Sequence, residues 1–174
     1  MTAPEKAGDR AADPGSEIEI GAPVVADGVR MWELAVASGV LDAKPRYAYA
    51  LWCRDFARTS VVARRDGDVV GYVTGYLRPD MPSTLFVWQV CVSSVAQGSG
   101  VGGRMLDAVF AAAPGADRME TTITPDNESS IALFAAFAKR HGLTVDRDEL
   151  FGRDVLGEDH EPEFLYCIRP ITEG

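Results

Sequence analysis

The chain has 174 residues, with 17 lysines and arginines against 26 aspartates and glutamates, a formal net charge of −9, and 47% hydrophobic residues. That length and apolar content suit one globular domain and argue against two full-sized ones. The acidic balance repels phosphate backbones and anionic membranes, and no apolar run approaches the ~20 residues that span a bilayer, so nucleic-acid binding and membrane insertion are set aside and a cytoplasmic protein is expected.

Residues 1–16 are rich in Ala, Pro, Gly, Asp and Glu and read as a disordered acidic tail, with a single domain expected over 17–174. Glu17 to Ile20 alternates and suggests a short edge strand. Helices are expected over Gly28 to Ser38 and from about Arg46 to Arg58, with Gly39 and Pro45 punctuating the loop between them. Ser60 to Arg64 and Val69 to Leu77 are β-branched and aromatic runs joined through Asp66-Gly67, a dipeptide suited to a tight hairpin turn. Thr84 to Val92 is apolar apart from Gln89 and reads as a central strand buried on both faces.

A helix is expected over Gly98 to Ala113, a strand over Arg118 to Thr124, and a helix over Glu128 to His141 that Asp126 or Asn127 caps and Gly142 ends. Leu143 to Phe151 and Glu163 to Ile168 close the chain as paired strands. The fold class is therefore α/β (α+β), a mixed, mostly antiparallel central sheet flanked by helices. Cys53, Cys91 and Cys167 are odd in number, widely spaced and set in apolar segments, which suits reduced core thiols, with no disulfide and no metal site expected.

The most informative stretch is Gln97-Gly98-Ser99-Gly100-Val101-Gly102-Gly103, after one expected strand and opening one expected helix. Missing side chains let backbone N–H groups approach a ligand, and together with the positive helix end they suit an anion such as a pyrophosphate. A glycine-rich turn can also be no more than a turn. No Lys-Ser/Thr pair follows to make an NTP-binding loop, and the mid-chain position argues against a dinucleotide fold.

Gln97, Gly100 and Gly102 match the Q/R-x-x-G-x-G/A motif of the GCN5-related N-acetyltransferase superfamily, which this chain resembles from about Asp27 to Pro170. The resemblance implies that fold, acetyl-CoA as cosubstrate, loop amides of Gln97, Gly98, Gly100 and Gly102 on its pyrophosphate, the edge of Val90, Cys91 and Val92 along its pantetheine arm, and a contribution from Asn127. It also implies that a main-chain N–H near Val90 to Val92 holds the thioester oxygen, and that the chain pairs as a homodimer, a common assembly of the superfamily.

A narrower resemblance is spread along the chain. Leu41-Asp42, Tyr47-Ala48-Tyr49, Leu51-Trp52-Cys53-Arg54-Asp55-Phe56, Ser60-Val61-Val62-Ala63, Gly71-Tyr72-Val73, Phe86-Val87-Trp88-Gln89-Val90, Glu120 to Asn127 and His160-Glu161-Pro162-Glu163 are similar to the L-2,4-diaminobutyric acid acetyltransferases of ectoine biosynthesis. It implies acetyl transfer to the 4-amino group of L-2,4-diaminobutyrate in a ternary complex, in the service of osmotic protection. The departure from that family is Lys44-Pro45, where it usually has an Asn-Ser pair.

Diaminobutyrate carries two ammonium groups and a carboxylate, so its pocket wants acidic and aromatic groups around the amines and a donor for the carboxylate. Asp42, Tyr47, Trp88 and Glu161 are the candidates, although Asp42 can equally be a turn residue, Tyr47 and Trp88 core aromatics, and Glu161 a solvated acid. Glu161 or a water chain is the candidate base. Relatives often carry a Tyr where this chain has Phe134, which cannot donate a proton, so the thiolate leaves unassisted or with a water. Cys91 lacks a convincing His partner for covalent catalysis. Acetylation of another small amine or a protein amine, and a silent CoA-binding domain, are the rival readings.

Overall fold

The structure, a computed structural model, describes residues 17–171. The tail expected over residues 1–16 lies outside the described residues. A seven-stranded sheet is built from β1 (Ile18–Gly21), β2 (Val61–Arg65), β3 (Asp68–Arg78), β4 (Met81–Val92), β5 (Arg118–Ile123), β6 (Thr144–Phe151) and β7 (Glu163–Arg169). Their order is β1-β2-β3-β4-β5-β7-β6, and only β4 and β5 run parallel. The helices are α1 (Asp27–Ser38), α2 (Arg46–Asp55), α3 (Val101–Ala112), α4 (Glu128–His141) and α5 (Arg153–Leu156).

The apolar periodicities place two helices on each face. Met31, Leu34 and Ala35 of α1 with Tyr49 and Cys53 of α2 pack on Val62, Tyr72 and Cys91. Met105, Leu106 and Val109 of α3 with Phe134 and Phe137 of α4 pack on Val73, Leu85, Val87 and Met119. The β2–β3 turn is the expected one, Asp66 at φ 52° and Gly67 at φ 86° supplying the left-handed pair that a two-residue hairpin requires. No helix among the described residues is long and apolar enough to cross a membrane.

Several boundaries shift for physical reasons. The second helix ends at Asp55, and Ala57–Thr59 forms a separate 3₁₀ turn. The third begins at Val101 rather than Gly98, because Gly98 and Gly100 have φ of 76° and 74°, which a right-handed helix cannot contain. α5 was not expected, and it interrupts the connection between β6 and β7. β4 starts three residues early, at Met81, and is not buried on both faces: Phe86, Val90 and Val92 are half-buried and Trp88 is 38% exposed. All three cysteines are free, with Cys53 and Cys91 buried and Cys167 only half-buried on β7.

Candidate functional site

β4 and β5 pair only from Thr84/Arg118 to Val87/Thr121. Past Val87, β4 keeps its partners on β3 through Val92 but has none on the β5 side. Main-chain donors and acceptors on that edge are thereby left for a ligand. A groove of about 920 Å³ opens there, and Val90, Cys91, Val92, Gln97, Gly98, Gly100, Gly102 and Asn127 all line it. The eight residues expected to hold the cosubstrate are thus brought to one place.

Local sequence explains each wall. Gly100 is the N-cap of α3, and a Cβ at Gly98 or Gly100 would meet nothing within 4 Å, so what these positions demand is a positive φ rather than free space. Ser99 Oγ donates to the Ala96 carbonyl at 2.6 Å and Gln97 Nε2 to the Val92 carbonyl at 3.4 Å, so the Gln97 side chain braces the loop against the end of β4. Asn127 caps α4, its Oδ1 accepting from the Ser130 N–H and the Ser129 hydroxyl at 3.1 Å each. The positive ends of α3 and α4 both face the groove, which suits an anionic ligand in an otherwise acidic protein.

The opposite wall was not legible in the sequence. Arg30, Leu34 and Ser38 of α1 and Val40 and Leu41 beyond it line the groove, and Arg30 Nε donates to the Val69 carbonyl at 3.3 Å. Nothing in an ordinary amphipathic helix marks which residues lie beside a ligand rather than beside the sheet. Phe134, by contrast, is 2% exposed within the α3–α4 core, so that position supplies no group to the groove. Burial pushes the Cys91 thiol up to about 11 against the opposing effect of its hydrogen bond with Tyr72, which disfavours the thiolate that covalent catalysis needs.

The other candidates lie around a bulge. Thr74 pairs with Gln89 and Gly75 with Val87, leaving Trp88 as an extra residue in β4. Val87 packs on the α3–α4 side, yet both Trp88 and Gln89 turn toward α2. Trp88 stacks on Trp52 with ring centroids 4.4 Å apart. Gln89, 7% exposed, accepts from the hydroxyls of Tyr72 at 3.1 Å and Tyr49 at 3.3 Å. The Asp42 carboxylate pairs with Lys44, whose Nζ sits 5.9 Å from the Trp88 ring centre.

Trp88 thus lies beside Lys44 and, through it, near the Asp42 carboxylate, which is itself 80% exposed and lines neither the groove nor the small cavity between Trp52 and Trp88, while Tyr47 and Glu161 lie apart. Tyr47 is 73% exposed at the start of α2 and lines no cavity described here. Glu161 lies on the exposed stretch before β7, where Arg153 holds its carboxylate at 2.7 Å, and His160 Nδ1 sits 2.6 Å from the Glu161 carbonyl. Neither was distinguishable from a pocket residue in sequence, because exposure and ion pairing depend on distant segments. No cluster of metal-ligating side chains occurs among the described residues.

Residues 27–138 match the acetyltransferase (GNAT) family. The chain is 47% identical over 154 residues to the L-2,4-diaminobutyric acid acetyltransferase of Nocardia farcinica, covering 87% of this chain and 80% of that one. It is 45% identical over 164 residues to the protein of the same name from Streptomyces coelicolor, covering 91% and 96%. Among solved structures, the diaminobutyrate acetyltransferase EctA of Paenibacillus lautus, in complex with its substrate L-2,4-diaminobutyric acid and coenzyme A, superposes with a TM-score of 0.86 at 33% identity, covering 92% of this chain and 99% of that one.

Proposed function

The chain belongs to the acetyltransferase (GNAT) family, and we propose that it transfers the acetyl group of acetyl-CoA to the 4-amino group of L-2,4-diaminobutyrate. The observation that carries this is the likeness to the P. lautus enzyme, which spans nearly the whole of both chains and whose ligands are diaminobutyrate and coenzyme A. The groove described above fits the cosubstrate: an open strand edge for the pantetheine amides, and glycine N–H groups with two helix N-termini for the pyrophosphate.

In this reading Val90, Cys91 and Val92 contact the pantetheine through their main chain, and Gln97, Gly98, Gly100, Gly102 and Asn127 form the phosphate end. A main-chain N–H between Val90 and Val92 polarises the thioester carbonyl. The deprotonated 4-amine attacks that carbon, the N–C bond forms, the C–S bond breaks, the electron pair leaves on sulfur as the thiolate of coenzyme A, and the second proton shed by the acylated nitrogen passes through water to that thiolate. With Glu161 engaged by Arg153 outside the groove, the ammonium proton passes to water. Asp42 and Trp88 form the acceptor end, and Tyr47 and Glu161 join it only by moving or from a second copy.

The product, N-acetyl-diaminobutyrate, is the precursor of ectoine, which places the enzyme in the cytoplasmic response to osmotic stress. The acting form is a homodimer. Supporting this, β6 is a sheet edge, and Leu150, Phe151, Val155 and Leu156 on it and on α5 are exposed apolar side chains that a second copy would cover.

The test is acetyl-CoA consumption with L-2,4-diaminobutyrate, ornithine, lysine and spermidine, with mass spectrometry of the product. Preferential 4-N-acetylation of diaminobutyrate is expected. Preferred turnover of another amine overturns the assignment, and coenzyme A binding without any turnover points to a silent domain.

A further inference from the structure

Two charged side chains are buried among the described residues, Glu120 at 4% and Arg65 at 7% exposure. Glu120 has its counter-ion, since Arg78 donates to its carboxylate at 3.0 Å. Arg65 pairs with no carboxylate among the described residues. Its Nη1 donates to the Val95 carbonyl at 3.2 Å, a neutral acceptor, and its Nε has no partner. Asp68 stands opposite Arg65 in the β2–β3 register, but its exposed carboxylate forms no ion pair with it. A buried charge without a counter-ion is strongly unfavourable, so the position calls for an anion that arrives only with a ligand.

The surroundings say which. Val95 belongs to the 3₁₀ turn Ser94–Ala96 that joins β4 to the glycine loop, and Val95 and Ala96 both line the groove. Ile18, opposite Arg65 across β1 and β2, gives its carbonyl to Nη2 of Arg104 at 2.9 Å, and Arg104 lies in the first turn of α3. Arg104 likewise pairs with no carboxylate among the described residues. Two guanidinium groups are thus gathered behind the positive end of a helix, where a further cation is disfavoured and an anion favoured. The carbonyls of this turn are engaged as well. Ser93 accepts from the N–H groups of Ala96 and Gln97, Ala96 from the Ser99 hydroxyl, and Val95 from Arg65.

Resting on the cosubstrate assignment above, we propose that Arg65 is a positioning residue for the pyrophosphate. It holds the Val95 carbonyl from behind the glycine loop and gives that loop a buried positive charge, which the pyrophosphate neutralises from the groove side. Arg65 acts through the turn and not by contact with a phosphate. Burial keeps this charge from being screened by dissolved salt, and in a protein of net charge −9 it is set where the anion binds.

Three substitutions separate charge from shape. Arg65→Met removes the charge and the donor, Arg65→Gln removes the charge and keeps a donor for Val95, and Arg65→Lys keeps the charge. Kd for coenzyme A is read by isothermal titration. The kinetic constants with acetyl-CoA are set against those of S-acetylpantetheine, the same thioester arm without the phosphates, read as donor or as competitive inhibitor. Arg65→Met and Arg65→Gln are expected to weaken coenzyme A binding roughly 10-fold, the effect of one charge acting through protein over about 10 Å, with kcat within about twofold. Arg65→Lys should stay within about threefold of wild type, and all three variants should leave the S-acetylpantetheine constants within about twofold.

Parallel losses with S-acetylpantetheine, as expected if Arg65 only props up the turn, overturn the proposal. So does an Arg65→Lys variant as weak as Arg65→Gln, or an unchanged Kd in Arg65→Gln. Failure of both neutral variants to fold also overturns it, because a charge without a counter-ion is not needed by the ligand-free fold. A wild-type protein that binds no coenzyme A overturns the cosubstrate assignment itself, so the two readings fail separately.

Discussion

The side-chain amide of Gln89 donates to the main-chain carbonyl of Asp42 at 3.3 Å, tying the α1–α2 loop to the middle of the sheet. The same side chain answers two tyrosine hydroxyls, so one residue fixes both the loop that carries Asp42 and Lys44 and the packing of α2.

Gln89→Leu removes all three contacts while keeping similar volume. It should strand the Tyr49 and Tyr72 hydroxyls at about 1–3 kcal/mol apiece, read as a lowered urea midpoint. In the folded fraction KM for the acceptor should rise more than Kd for coenzyme A, whose groove meets the anchored loop only at its Val40 and Leu41 end. A loss of coenzyme A affinity comparable to the KM effect would contradict this division.

Asn127 has a capping role and, in the proposed function, a place at the phosphate end of the cosubstrate, and two substitutions separate them. Asn127→Ala should cost about 1 kcal/mol of stability through the lost cap. Asn127→Asp preserves the cap and is expected to leave thermal stability close to wild type, yet it adds a negative charge where phosphates bind and should weaken coenzyme A binding severalfold. Calorimetry of folding and isothermal titration with coenzyme A read the two effects independently.

Phe134→Tyr tests whether the superfamily's tyrosine can be restored here. The ring lies in the α3–α4 core, so the added hydroxyl is buried without a partner, and a loss of about 1–3 kcal/mol with no gain in kcat is expected. An increase in kcat would show that the helix presents this side chain to the groove.

Alkaline stability should report the buried thiols. Cys53 and Cys91 both stand near 11 in the folded protein, raised chiefly by burial, against an ordinary value near 9. Above pH 9 the unfolded chain sheds these protons first and the folded chain retains them, so stability is full below about pH 9 and declines as pH climbs toward 11. Each pKa unit is worth about 1.4 kcal/mol. The Cys53→Ala, Cys91→Ala double variant should show a shallower fall in chemical-denaturation free energy between pH 8 and 10.5, and an unchanged slope would mean the thiols are hydrated.

What the sequence disclosed follows from which features are local. Gly98, Gly100 and Asn127 were readable because a left-handed turn and a helix cap each impose a residue type within a few positions. The hairpin at Asp66-Gly67 was readable for the same reason. The bulge at Trp88 was not, since an extra residue exists only relative to a partner strand, and without it Thr84 to Val92 looks like uniform core. The α1 wall, the exposure of Tyr47 and the capture of Glu161 by Arg153 depend on segments distant in sequence.

The four-residue seam between β4 and β5 has a mechanical consequence. Among the described residues it is the only strand pairing that joins β1 through β4 to β5, β7 and β6, so the sheet is two plates stitched along one short line at the closed end of a wedge. A ligand lying along Val90–Val92 and reaching the start of α4 acts as a splint across both plates. Its binding should stiffen the whole sheet, slowing amide exchange in β5, which pairs with β4 along that line of stitches, and in β7 on the far side of β5.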